Sequence, residues 1–178
     1  MIACLDACVL FPTVMRQVLL GAADQGAFTP VWSARIVEEW VRAAGRDGPA
    51  AKLLAEGEAA LLRATWPAAE VPGGPEADLW LPDPADIHVL ATARQAGAAV
   101  IVTANLKDFP ARSLAPLDIR ADHPDAFLLG LWRHDPSPVV TAAEDAQARA
   151  KAAGAGDIPL RSLLKRAGLP RLGKALGA

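Results

Sequence analysis

Cysteine is scarce in this chain and long apolar runs are missing. Only Cys4 and Cys8 occur among 178 residues. Their spacing is no zinc pattern and no second Cys or His pair lies nearby, so both are expected to be reduced core thiols. No hydrophobic stretch approaches the ~20 residues a membrane span requires. No basic stretch precedes "IACL", so a secretory leader of the usual kind is not expected. A soluble, cytoplasmic protein without membrane attachment is the expectation. A Gly-rich phosphate loop is also missing, since "VPGGP" lacks the lysine a P-loop uses. No His–Ser or His–Cys arrangement suggests a covalent nucleophile. There are no internal repeats. The tryptophans read mostly as core residues, not as a base-stacking platform, and His88, His123 and His134 lack ligand spacing.

What is present is apolar content of 52%, enough for one well-buried domain with a small appendage. The net charge of −2 argues neither for nor against nucleic acid, but its distribution is uneven. After Asp145 lie seven of the 18 Lys and Arg residues and only one of the 20 acids, Asp157. An acidic body thus carries a basic tail. Such a tail suits a phosphate backbone, an acidic protein partner, or simply solvated helix faces. Lys165 and Arg166 are its candidate phosphate-backbone contacts.

Residues 2–5 read as a strand buried on both faces, and "TVMRQVLLGAADQGAF" as a helix stopped by Gly26. A short strand follows in "AFTPVW". Ser33 is placed to cap a helix whose apolar stripe is Ile36, Val37, Trp40, Val41 and Ala44. One or two helices are expected over 49–63, then a loop through "PGGPEAD". In "LPDPADIHVLATA", Asp83 suits an N-cap, Pro84 the first helical position, and Asp86 the first turn, where its charge favours the dipole. That helix should end near Gly97, before the buried strand "AAVIVT". "DIRAD" reads as a last strand, 124–132 as a helix, "HDPSPVV" as a Pro-rich break, and the tail as two short helices. The alternation predicts α/β architecture with a parallel sheet covered on both sides. The domain boundaries drawn are 1–132 and a basic helical extension over 133–178.

In parallel α/β sheets the functional edge lies beyond the carboxyl ends of the strands. Asp6 follows the first strand; Asn105 and Asp108 follow "AVIVT"; Asp86 opens a helix that starts at the same edge. Glu38 or Glu39 lies early in the helix after the second strand, and each has a possible arginine partner on it, Arg42 for Glu38 and Arg35 for Glu39. Carboxylates gathered from distant segments repel one another unless a cation holds them. Oxygen ligands with open positions suit Mg²⁺ or Mn²⁺ and phosphoryl chemistry. Thr103 either hydrogen-bonds Asp6 or merely ends its strand, and Asp83 is a cap or an outer support of the site.

The motifs "CLDACVLFP", "SARIVEEW", "LPDPADIHVLATA" and "VTANLKDFP", in this order and spacing, resemble the PIN-domain family. The similarity covers roughly residues 1–130 and is closest to the VapC-like toxins of bacterial toxin–antitoxin pairs. It implies a three-layer α/β/α fold with a short parallel sheet and a metal-dependent endoribonuclease. Asp6, Asp86 and Asp108 would hold Mg²⁺ or Mn²⁺, and Glu39, followed by an apolar residue as is common in the family, would complete the catalytic set. Glu38, Asp83, Thr103 and Asn105 are supporting. Asn105 departs from the family, where Asp is common, and Asp108 is the residue able to supply the missing charge. The implied partners are an RNA substrate, an antitoxin protein and a second copy in a homodimer. Two alternatives stand beside it. One is a PIN-like module that binds RNA or protein without cutting. The other is a haloacid-dehalogenase-like phosphatase, disfavoured because position 8, where a second Asp is wanted, is Cys8.

Overall fold

A computed structural model describes residues 1–177 and confirms the α/β class. Four parallel strands, β1 (Ile2–Leu5), β2 (Thr29–Val31), β3 (Val100–Val102) and β4 (Arg120–Asp122), form one sheet in the order β2-β1-β3-β4. β1 and β3 are the central strands. Ala3, Cys4 and Leu5 of β1 and all of β3 are buried on both faces, which is why each reads as an unbroken apolar run.

The described residues form two compact units. The first comprises Met1–Phe11 and Thr29–Asp122; the second comprises Pro12–Phe28 and His123–Ala178. The sequence boundary at 132 therefore differs from the compact division, because the segment Pro12–Phe28 joins the residues after Asp122.

In the first unit the sheet carries α1 (Ala7–Leu10), α3 (Ala34–Ala44), α4 (Pro49–Thr65), α5 (Ile87–Gln95) and α6 (Ala111–Leu114). Helix α3 buries Ile36, Val37, Trp40 and Ala44 along one stripe, at i, i+3, i+4 spacing. Ser33 stands at its N-cap, but the hydroxyl makes no capping bond and is buried without a partner among the described residues. Helix α5 ends where Gly97 takes φ +64°, a conformation in which a side chain would be strained.

The second unit is helical: α2 (Thr13–Asp24), α7 (Pro124–His134), α8 (Pro136–Ala150), α9 (Leu160–Arg166) and α10 (Pro170–Leu176). α2 and α8 approach so closely that a Cβ on Gly21 would lie 2.8 Å from that of Ala142. Phe28 and Phe127 pack edge to face at 5.0 Å. Asp125, buried, accepts the backbone N–H groups of Arg171 and Leu172 at 2.9 Å and so anchors the start of α10. In "HDPSPVV" the break is confined to Asp135, extended between the end of α7 at His134 and the start of α8. From Pro136 on the stretch is helical: Asp135 caps Ser137 N–H at 3.2 Å and Pro136 occupies the first turn, where its missing N–H costs nothing.

Candidate active site

Sheet register sets the site. Leu5 lies opposite Val102 and Val102 opposite Asp122, so the residues that follow these strands emerge side by side at the carboxyl edge. Asp6 N–H donates to Val102 O at 3.2 Å, and Thr103 N–H to Asp122 O at 3.0 Å. Asp6 is buried, 7% exposed. Its Oδ2 accepts the Thr103 hydroxyl at 2.7 Å and the Cys8 thiol at 3.1 Å. Of the two roles open to Thr103, the hydrogen bond to Asp6 is the one observed. Thr103 Oγ1 in turn accepts the Asn105 backbone N–H at 3.0 Å, and Asn105 Nδ2 donates to Asp108 Oδ2. One chain of hydrogen bonds therefore links Asp108, Asn105, Thr103 and Asp6.

Cys8 is a correction to the sequence reading. It is half-buried and belongs to this network, not to the core as Cys4 does. Burial, and then the charge of Asp6, pushes its thiol up to about 12. It therefore remains protonated at neutral pH and serves as a donor to Asp6.

Asp83 is an N-cap: its Oδ1 accepts Ala85 N–H at 2.9 Å, opening a 3-10 turn over Pro84–Asp86 that runs into α5. Asp86 ends that turn, half-buried. Its carboxyl is raised to about 6, first by loss of hydration and then by the charges of Asp6, Asp83, Asp108 and Glu39. The carboxylates foreseen at this edge thus act on one another electrostatically. Among the described residues, however, no three His, Cys, Asp or Glu side chains already surround a common point at ligand spacing.

Glu39 is half-buried and holds His88 Nε2 at 3.0 Å through Oε1. Because an ionised carboxylate only accepts, Nε2 is assigned the proton. His88 Nδ1 is buried without a hydrogen-bond partner among the described residues. The pairing of Glu39 with Arg35 does not form, since Arg35 binds Glu76 at 3.1 Å. Glu38 points elsewhere: it is exposed and lines a separate cleft of about 460 Å³ with Arg42, Lys52 and Arg63. Spacing could not have revealed His88 as Glu39's partner, because 49 residues separate them. Lys165 and Arg166 are exposed at the end of α9, in the second unit.

A parallel α/β sheet with interacting carboxylates at its carboxyl edge defines an acidic α/β site. The chain belongs to the PIN domain family, whose model matches residues 3–107. The matched range contains Asp6, Glu39, Asp86 and Asn105 and ends just before Asp108. A 44-residue stretch is 59% identical to "Putative ribonuclease VapC50" of Mycobacterium tuberculosis (strain ATCC 25618 / H37Rv), a match covering 25% of this chain. It spans only about a quarter (26%) of the length of that curated relative. No solved structure matches the chain. Among the described residues no helix is long and apolar enough to cross a membrane.

Proposed function

We propose that this chain is a metal-dependent endoribonuclease and the toxin of a type II toxin–antitoxin pair; the similar protein's name, a ribonuclease, supports the ribonuclease part. The observation that carries the proposal is the hydrogen-bonded edge that joins Asp6, Thr103, Asn105 and Asp108, with Asp86 near enough that Asp6 and Asp108 help push its carboxyl up. A site that crowds carboxylates gains from a hard divalent cation, and its donors are all oxygens, as Mg²⁺ or Mn²⁺ prefers. Asp6, Asp86 and Asp108 would hold the ion, with Glu39 nearby. When bound, such an ion lowers the pKa of water and stabilises charge developing on a scissile phosphate.

The chain's own residues do the positioning. Thr103 and Cys8 fix one oxygen of Asp6, Asn105 orients Asp108, and His88 holds Glu39. No side chain forms a covalent bond to substrate. Cleavage of an end-labelled RNA by the purified chain, with Mg²⁺ or Mn²⁺ and with EDTA, is the direct test. Internal cuts that vanish in EDTA are expected; RNA binding without cutting would favour a non-catalytic module.

His88 should matter although it touches no ligand. Changing His88 to Ala is expected to lower cleavage by roughly 10–100-fold, the usual cost of losing a group that orients an active-site ligand. His88→Gln, which retains an N–H donor, should recover part of the loss. Equal loss in both variants would show that packing, not the bond to Glu39, is what His88 supplies.

The basic tail supplies phosphate contacts in this reading. RNA affinity should fall with salt at a slope of about −0.7 per contact. Changing Lys165 and Arg166 together to Ala should flatten that slope by roughly one to two units without altering metal affinity. Unchanged slope combined with escape from a cognate antitoxin would reassign the tail to an acidic protein partner.

A further inference from the structure

Trp80 is an exception to the expectation that the tryptophans are mostly core. Trp32 and Trp40 are buried, whereas Trp80 is 58% exposed. It lies in the segment that runs directly into Asp83 and Asp86. The Arg112 guanidinium stands over its ring, 5.5 Å from the centroid. Arg112 belongs to α6, which follows directly on the Asp108 turn. The pair thus joins the two segments that deliver Asp86 and Asp108.

Trp80 and Arg112 line a cleft of about 430 Å³ together with Leu90, Pro116, Ser113 and Asp78. Leu90 is on α5, one turn beyond Asp86. The acid in the cleft is already neutralised: Asp78 binds Arg94 through two contacts, 2.8 and 3.1 Å. Arg112 makes no ion pair among the described residues, so the cleft's uncompensated charge is positive. The Ser113 hydroxyl is buried there without a hydrogen-bond partner among the described residues.

Covering the apolar face of an exposed indole removes it from water and is favourable. A guanidinium fixed over its ring adds cation–π attraction and a charge for phosphate. Flat π surface beside an unpaired positive charge matches an unstacked nucleotide: base on the indole, phosphate on Arg112. An apolar protein segment would use the indole but leave Arg112 without a counter-charge.

We infer that Trp80 and Arg112 form a stacking platform that binds one unpaired nucleotide of a single-stranded RNA beside the carboxylate site. This deepens the ribonuclease reading and rests on it for the substrate class.

The test measures binding by fluorescence anisotropy, using the full chain, EDTA, and a labelled single-stranded 10-mer RNA. A companion set of 10-mers each carries one abasic nucleotide. Trp80→Ala should weaken binding by about 5- to 150-fold, the range for loss of one base–aromatic stack. Trp80→Phe should keep most of the affinity. One abasic position should weaken wild-type binding similarly and cost Trp80→Ala little more, because both remove the same stack. Arg112→Gln should reduce the salt slope by about 0.7. Unchanged affinity in Trp80→Ala with a normal thermal melt would overturn the platform, and partner-protein binding lost in that variant would assign the cleft to protein instead. The ribonuclease reading fails separately. Wild-type chain that binds the 10-mer yet never cuts RNA with Mg²⁺ or Mn²⁺ would sink cleavage, while the Trp80→Ala affinity still decides the platform.

Discussion

Asp6→Asn should reduce Mg²⁺- or Mn²⁺-dependent RNA cleavage by more than the roughly 10–100-fold typical of losing an outer supporting group, because it removes a proposed ligand itself. Asp6 sits at the centre of the network. Its Oδ2 accepts Thr103 at 2.7 Å and Cys8 at 3.1 Å, so an asparagine with its carbonyl at that position keeps both bonds and the shape. What disappears is the charge. The fold should therefore survive, and metal-free protein should melt at the same temperature or higher, since one of the carboxylates raising Asp86 has gone. Loss of cleavage with a retained melt supports the chemistry. Full activity in the variant would rule out the nuclease assignment, and an unfolded variant would show that Asp6 is a structural residue first.

Asp86 gives the second large effect, read as stability against pH. Its folded value of about 6 lies above the ordinary aspartate value of 3.8. A carboxyl raised on folding means that the folded state holds the proton more tightly than the unfolded chain. Its contribution to stability is favourable at low pH, is lost as pH rises from about 4 to about 6, and stays lost above that. In EDTA, Asp86→Asn should melt at a higher temperature than wild type at pH 7, with the difference shrinking toward pH 4. Saturating Mn²⁺ should reverse the order at pH 7, because cation binding favours the ionised carboxyl and the asparagine offers none. Metal affinity of the wild type should likewise weaken as pH falls through about 6, where proton and cation compete. A melting difference that does not vary with pH in EDTA would remove Asp86 as the titrating group. Cleavage should be lost in the variant at every pH.

Much of the frame was legible beforehand. The apolar runs at Ile2–Leu5 and Val100–Val102 announce strands buried on both faces, and the i, i+3, i+4 stripe of α3 announces a helix. Parallel topology then places whatever follows those strands, Asp6 and Thr103 onward, at one edge, along with the start of α5. That inference needs only local pattern and the geometry of crossover connections. The break at "HDPSPVV" is legible but its extent is not, because the same Pro signals a break inside a helix and is a preferred residue in a helix's first turn. Only the backbone position separates the two meanings.

Backbone periodicity and connection rules are local, so the α/β class, the strands and the segments that end at the acidic edge can be read from the chain alone. Tertiary structure alone decided that Thr103 bonds Asp6, that Cys8 belongs to the site, that Glu39 pairs with His88, and that Glu38 faces another cleft. It alone placed Arg112 over an exposed Trp80 and raised Asp86 to about 6. The physical reason is the same in each case. Contacts between side chains distant in the chain, and the loss of water around them, depend on register and packing that no local pattern carries.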